Sequence, residues 1–171
     1  MIIGFCNPLL DISTNTTKEF LDKHGLKEND AILARPEHGV LLHELHGKEL
    51  LYSAGGAGQN AMRACQWLSE PKTVHYMGAV GSDSNAGVLR EAAERDGLTC
   101  HYMTVPEMKT GTCVCLLTPG HRSLVADLQA AVRFDASHID INSEVMAQAK
   151  AYYLSGFLLS DSFGVAEAVC K

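Results

Sequence analysis

The sequence has little of several features that mark particular protein classes. No stretch approaches the ~20 consecutive apolar residues that a membrane span needs. The first eight residues, Met1–Pro8, lack both the basic segment and the long apolar run of a signal peptide. Cations are in the minority, with 14 Lys and Arg against 20 Asp and Glu, and they form no basic run. This balance excludes a general nucleic-acid binder, whose affinity for phosphates depends on clustered cations.

What the chain does have is enough apolar material for a core. Its 171 residues are 46% hydrophobic, and a chain of this size buries roughly two thirds of its unfolded surface. We therefore expect a globular chain, in solution, with neither a membrane nor a nucleic acid as its partner. The absence of targeting signals favours a cytoplasmic location, or a cytoplasmic and nuclear one.

The cysteines predict neither disulfides nor a metal site. Six are scattered along the chain, and only Cys113 and Cys115 are close together. Without a secretion signal they are expected to be reduced thiols. The Cys-Val-Cys spacing is typical of one face of a strand, whereas structural zinc sites use two ligand pairs of wider spacing. His43 and His46, three residues apart, also lack a second ligand pair.

The hydrophobic pattern indicates an α/β fold. Strand-like runs alternate with amphipathic segments over most of the chain. Helices are expected at 17–24, 38–46, 60–69, 86–96, 143–149 and 165–171, and strands at 2–5, 48–53, 73–80 and 151–155. Between 99 and 128 three strand-like runs follow one another without a helix, which predicts an antiparallel piece. The chain is thus expected to be an α/β core that carries a small β-rich accessory sheet.

The glycine-rich segment Gly55–Asn60 is the strongest local signal, because it lies between a predicted strand and a predicted helix. Helix starts of this kind offer unpaired N–H groups to a ligand. Gly56–Ala61 satisfies the dinucleotide-binding pattern G-x-G-x-x-G/A, although the segment does not follow the first strand. A phosphate-binding P-loop is excluded, because no Gly-Lys-Ser/Thr follows. Dinucleotide binding and tight packing both remain open from this motif alone.

Seven segments together, in one order, resemble a known family. They are Asn7–Ile12, Gly55–Asn60, Gln66-Trp67, Gly81-x-Asp83, Thr110–Cys113, Arg122–Ala126 and Ser155–Phe157. The chain resembles the ribokinase-like (PfkB) kinases of sugars and nucleosides and, among them, the adenosine kinase family. The resemblance implies a three-layer α/β/α core with a small β-rich lid. Residues 1–171 would be the N-terminal part of the kinase domain, truncated relative to the family, with lid segments at about 11–35 and 99–128.

The resemblance also implies a reaction and a set of site residues. Adenosine kinases transfer the γ-phosphate of ATP, with Mg²⁺, to the 5′-hydroxyl of adenosine. Asp11 would accept hydrogen bonds from both ribose hydroxyls, and Gly56 and Asn60 would bind the same hydroxyls beside Gly55. Arg122 resembles the lid arginine that contacts the transferred phosphate. The implied purine pocket consists of Asn7, Leu33, Cys113, Leu124, Ala126 and Phe157.

The resemblance places no catalytic base in this chain, because the family's aspartate segment and ATP site would lie beyond Lys171. We expect adenosine and ATP as partners. The resemblance implies a monomer for the full-length family, and for a truncated chain it implies self-association that covers the open edge of the sheet. Three alternatives remain: a sugar kinase of the same fold, a non-catalytic nucleoside-binding module and a dinucleotide-binding dehydrogenase.

Overall fold

The computed structural model describes all residues from Met1 to Lys171. Nine strands form two sheets. The strands are β1 Ile2–Phe5, β2 Leu9–Asn15, β3 Ala31–Leu33, β4 Leu51–Gly55, β5 Val74–Val80, β6 Thr99–Thr104, β7 Thr112–Thr118, β8 His121–Asp127 and β9 Ala151–Leu154. The α-helices are α1 Lys18–Lys23, α2 Leu41–Glu44, α3 Ala57–Trp67, α4 Ser84–Arg95, α5 Ser137–Ile141, α6 Ser143–Met146, α7 Gly156–Asp161 and α8 Phe163–Val169. Short 3₁₀ helices occupy Pro36–Val40 and Gln129–Arg133.

The core is a four-stranded parallel sheet in the order β6-β5-β1-β9. Its two central strands, β1 and β5, are largely apolar and buried on both faces, as parallel sheets require when helices cover both sides. On one face, Met62 of α3 and Leu89 of α4 pack against Tyr76 of β5. On the other face, Leu158 of α7 packs with Phe5 of β1. The predicted three-layer α/β/α core is therefore confirmed.

The second sheet has five strands in the order β3-β8-β7-β2-β4. It is mixed: β2 pairs antiparallel with β4 but parallel with β7, and β7 pairs antiparallel with β8. On one face, Leu21 and Leu41 cover Val114 and Val125. Its other face carries Leu9, Cys113 and Cys115 and is turned toward a cavity.

Several sequence-based boundaries are wrong. The accessory sheet was predicted to include the run from 99, but β6 pairs parallel with β5 in the core sheet, because α4 returns the chain to the edge of that sheet. In this region the second sheet therefore begins at residue 112 rather than 99. The second sheet also includes β4, which lies outside both predicted lid segments. The segment predicted as one helix at 38–46 is a 3₁₀ turn followed by the short helix α2.

Helix α3 begins at Ala57 rather than Asn60, so the glycine segment forms its cap and first turn. Trp67 and Leu68 are 74% and 90% exposed, because the helix ends there at the surface. Helix α4 is confirmed, with Asp83 as its N-cap accepting a hydrogen bond from the Ala86 N–H. None of the helices combines the length and the apolar character needed to cross a membrane.

Candidate functional site

A cavity of about 640 Å³ lies between the open face of the five-stranded sheet and the carboxyl ends of the core strands. Ligand sites in α/β folds commonly lie beyond these strand ends. The sheet contributes side chains from β2, β3, β7 and β8, and the core contributes the residues after β1, the start of α3 and helix α7. The predicted site residues that line it are Asn7, Asp11, Leu33, Gly56, Asn60, Cys113, Arg122, Leu124, Ala126 and Phe157.

Gly55 was also predicted as a site residue, but it does not line this cavity. It lies behind Asp11, where any side chain would overlap the Asp11 carboxylate. Glycine at this position of β4 therefore leaves room for the carboxylate. Its contribution to the site is indirect.

Asp11 is the only carboxylate that the second sheet turns into the cavity. Burial raises the pKa of Asp11 from 3.8 to about 6, although the guanidinium groups of Arg122 and Arg63 both act to lower it. A desolvated carboxylate beside two cations is an acceptor that favours hydroxyl or amine donors. Such strongly perturbed acids in cavities are characteristic of functional sites.

The start of α3 brings N–H donors to the same cavity. Gly56 caps the helix with φ of 91°, a left-handed conformation that favours glycine, and a side chain there would also overlap the Asn7 carbonyl. The first N–H groups of a helix have no intrahelical partner and carry the positive end of its dipole. One turn on, Asn60 adds its side-chain amide. The result is a set of donors next to the Asp11 acceptor.

Arg63, which sequence analysis missed, fixes the orientation of Asn60. Its Nη1 donates to Asn60 Oδ1 at 2.8 Å and to the Ala54 carbonyl at 2.5 Å, and its Nε donates to Asp96 Oδ2 at 2.6 Å. With Oδ1 occupied by Arg63, the Nδ2 group of Asn60 is left as the donor. Arg63 is thus a positioning residue that also places positive charge near Asp11.

The rest of the cavity has exposed apolar walls. Leu33 of β3 is 63% exposed and Phe157 of α7 is 59% exposed. Leu124, Ala126 and Cys113 extend the apolar surface across β8 and β7. Large apolar side chains left open in a cavity are covered when a ligand binds, and an aromatic face such as that of Phe157 suits a planar ring.

Asn7 connects the strand ends to α7. Its Nδ2 donates to Asp161 Oδ2 at 2.6 Å, whereas its buried Oδ1 has no hydrogen-bond partner. An unpartnered buried acceptor is costly, and a donor on a ligand would satisfy it. Asp161 and its neighbour Ser160 both line the cavity but were not among the site residues predicted from the sequence. Helix α7 itself was not predicted.

Residues from three of the seven segments make structural contacts outside the cavity, although Cys113 of the Thr110–Cys113 segment lines it. Asp83 accepts hydrogen bonds from the Thr110 N–H and hydroxyl, at 3.1 and 2.6 Å, and so ties the start of α4 to the strand that precedes the site. Gln66 accepts from the Val74 N–H and donates to the Glu70 carbonyl, which joins α3 to β5.

Comparison with known proteins provides independent evidence about the family of this chain. Residues 18–169 match the pfkB family of carbohydrate kinases. The chain belongs to the pfkB family. A relative is the adenosine kinase of Schizophyllum commune, 41% identical over 172 residues that cover 96% of this chain and 49% of the relative. This membership removes the dehydrogenase alternative and confirms the ribokinase-like fold.

Solved structures of pfkB-type proteins support the same family assignment. Adenosine kinase from Anopheles gambiae, in complex with P1,P4-di(adenosine-5) tetraphosphate, superposes with a TM-score of 0.89 at 39% identity. The match covers 99% of this chain and 54% of the Anopheles chain. The apo adenosine kinase from Trypanosoma brucei brucei has a TM-score of 0.93 at 31% identity, and the match covers 99% of this chain and 53% of that chain. The chain therefore spans about half the length of the pfkB proteins that it matches.

Proposed function

We propose that this chain is the nucleoside-binding half of an adenosine kinase, an enzyme that phosphorylates the ribose 5′-hydroxyl of adenosine to give AMP. The observation that carries the proposal is the convergence of Asp11, the start of α3 and an apolar cavity. A nucleoside has the matching parts: vicinal hydroxyls that donate to a carboxylate, and a planar base that binds between apolar side chains. The similarity to adenosine kinases supports this substrate.

The binding mode follows from the donors and acceptors of the site. The ribose hydroxyls donate to Asp11, while Asn60 Nδ2 and the N–H groups at the start of α3 donate to the hydroxyl oxygens. The base lies against Phe157, Leu33 and Leu124. Asn7 Oδ1, which has no hydrogen-bond partner within the protein, accepts from a donor on the nucleoside.

In this proposal the phosphoryl donor is ATP, and Arg122 at the rim of the cavity supplies positive charge for the transferred phosphate. The one cluster of three potential ligand residues in the structure contains two thiols, whereas Mg²⁺ prefers oxygen ligands. The part of the reaction that we assign to this chain is binding and orienting the nucleoside.

The test is calorimetric titration of the purified chain with adenosine and, separately, with ribose. We expect saturable binding of adenosine and at least tenfold weaker binding of ribose, because ribose makes none of the apolar contacts. Equal affinities would instead favour a sugar kinase. A chain that is folded by circular dichroism but binds neither compound would contradict the assignment of a nucleoside site to this half.

Arg63 offers a test of how the site is held together. Arg63→Gln removes the donor that orients Asn60, and we expect about fivefold weaker adenosine binding, the loss of roughly one hydrogen bond. It also removes positive charge near Asp11, so the pH at which binding is half-lost should rise. Arg95→Gln, an exposed arginine on α4, is the matched control and should change neither. A loss of affinity without any shift of the pH midpoint would assign Arg63 a packing role only.

A further inference from the structure

Three side chains that are far apart in the sequence meet on the floor of the cavity. One oxygen of Asp11 and the sulfurs of Cys113 and Cys115 all lie within 4.8 Å of one another. The parallel pairing of β2 with β7 sets Asp11 beside Cys113. The two-residue period of β7 then turns Cys115 to the same face. Both cysteines are buried, 6% and 5% exposed, and both are free thiols.

A disulfide does not explain this pair. Two residues apart on one strand, the cysteines have Cα atoms about 6.6 Å apart and parallel Cβ directions. A disulfide needs Cβ atoms within roughly 3.5–4.5 Å, which this arrangement does not provide. A metal ion between the sulfurs spans a longer gap, because each Zn–S bond is about 2.3 Å.

The donor set selects the kind of ion. Two thiolates and one carboxylate suit Zn²⁺ and similar thiophilic divalent cations rather than Mg²⁺ or Ca²⁺. Three protein ligands leave one coordination position open to the cavity, as in zinc sites that bind an exogenous ligand. A divalent ion with three anionic ligands has a net charge of −1, and Arg122 on the same cavity wall provides the compensating charge.

We propose that Asp11, Cys113 and Cys115 form a binding site for a thiophilic divalent cation such as Zn²⁺, and that occupation of this site excludes the nucleoside. Binding the ion releases the thiol protons to solvent and forms two metal–sulfur bonds and one metal–oxygen bond. The exclusion, which rests on the proposed function, follows because both ligands require the Asp11 carboxylate. The metal site itself does not depend on that function.

The site is tested by titrating the reduced, metal-free chain with Co²⁺, whose thiolate charge-transfer band and visible bands report sulfur ligation, and then displacing it with Zn²⁺. We expect one Co²⁺ per chain and loss of the charge-transfer band in the double variant Cys113→Ala/Cys115→Ala. Asp11→Asn should weaken binding at least tenfold while keeping a thiolate band. Cys6→Ala, in the same cavity but outside the cluster, and the exposed Cys170→Ala are controls expected to bind normally.

Absence of a thiolate band in the folded native chain would overturn the proposal, as would a band that survives the double variant or disappears in Cys170→Ala. The exclusion is measured by adenosine titration with and without one equivalent of Zn²⁺, where at least tenfold weaker binding is expected. Unchanged adenosine affinity in the Zn²⁺-loaded chain would refute exclusion. Co²⁺ binding by a chain that binds no adenosine would leave the metal site in place and contradict only the proposed function.

Discussion

Replacing Asp11 by alanine is expected to weaken adenosine binding at least 100-fold. In the proposed binding mode the carboxylate accepts from the two ribose hydroxyls, and a hydrogen bond to a charged group contributes about 1.5–3 kcal/mol. Loss of two such bonds corresponds to a 100-fold effect or more, since every 1.4 kcal/mol is tenfold. Calorimetry on the native chain and the variant, in buffer that contains a metal chelator, measures the difference.

The controls separate binding from folding. Asp127→Ala removes a carboxylate from β8, but Asp127 faces a different cavity from the one that holds Asp11. Its adenosine affinity should stay within about twofold of native. The Asp11 variant should also remain folded, because its carboxylate is held in the cavity against a desolvation penalty. An Asp11→Ala chain that is folded and binds within fivefold of the native chain would show that the hydroxyls bind elsewhere.

Local sequence signals were enough to predict most of the helices and strands. The Asp83 cap and the apolar stripe containing Leu89 define α4, and the apolar run of β5 is buried almost throughout. They failed for β6, because a strand of the core sheet and a strand of the accessory sheet have the same alternating pattern. The pairing partner decides between the two, and the partner β5 lies on the other side of a helix.

Residues that line the cavity were predictable where family resemblance marked whole segments, as with Asp11, Asn60 and Phe157. It was not predictable where strand register determines proximity. The cluster of Asp11 with Cys113 and Cys115 requires the parallel pairing of β2 with β7, whose sequences contain no sign of that alignment. Arg63 was missed for a related reason, because on α3 it has the pattern of a solvated surface residue.

Adenosine binding is also expected to depend on pH with a midpoint near the pKa of Asp11. Desolvation raises that pKa to about 6, so the carboxylate is mostly ionised at pH 7.5 and mostly protonated at pH 5. A protonated carboxyl loses the charge that strengthens its hydrogen bonds to the ribose. Below the midpoint, affinity should fall about tenfold per pH unit, and calorimetric titrations at half-unit steps measure this slope.

The same ionisation predicts a stability effect of the opposite sense. Since the pKa of Asp11 is 3.8 unfolded and about 6 folded, the native state holds the extra proton between these values. Stability from this group is therefore complete below about pH 4 and declines as the pH rises through 6. Asp11→Asn lacks the titration, so it should gain thermal stability relative to the native chain between pH 4 and pH 7 while its weak adenosine affinity stays flat. A constant difference in melting temperature across that range would show that the Asp11 carboxyl is solvated, and the acid loss of binding would then have to come from another group.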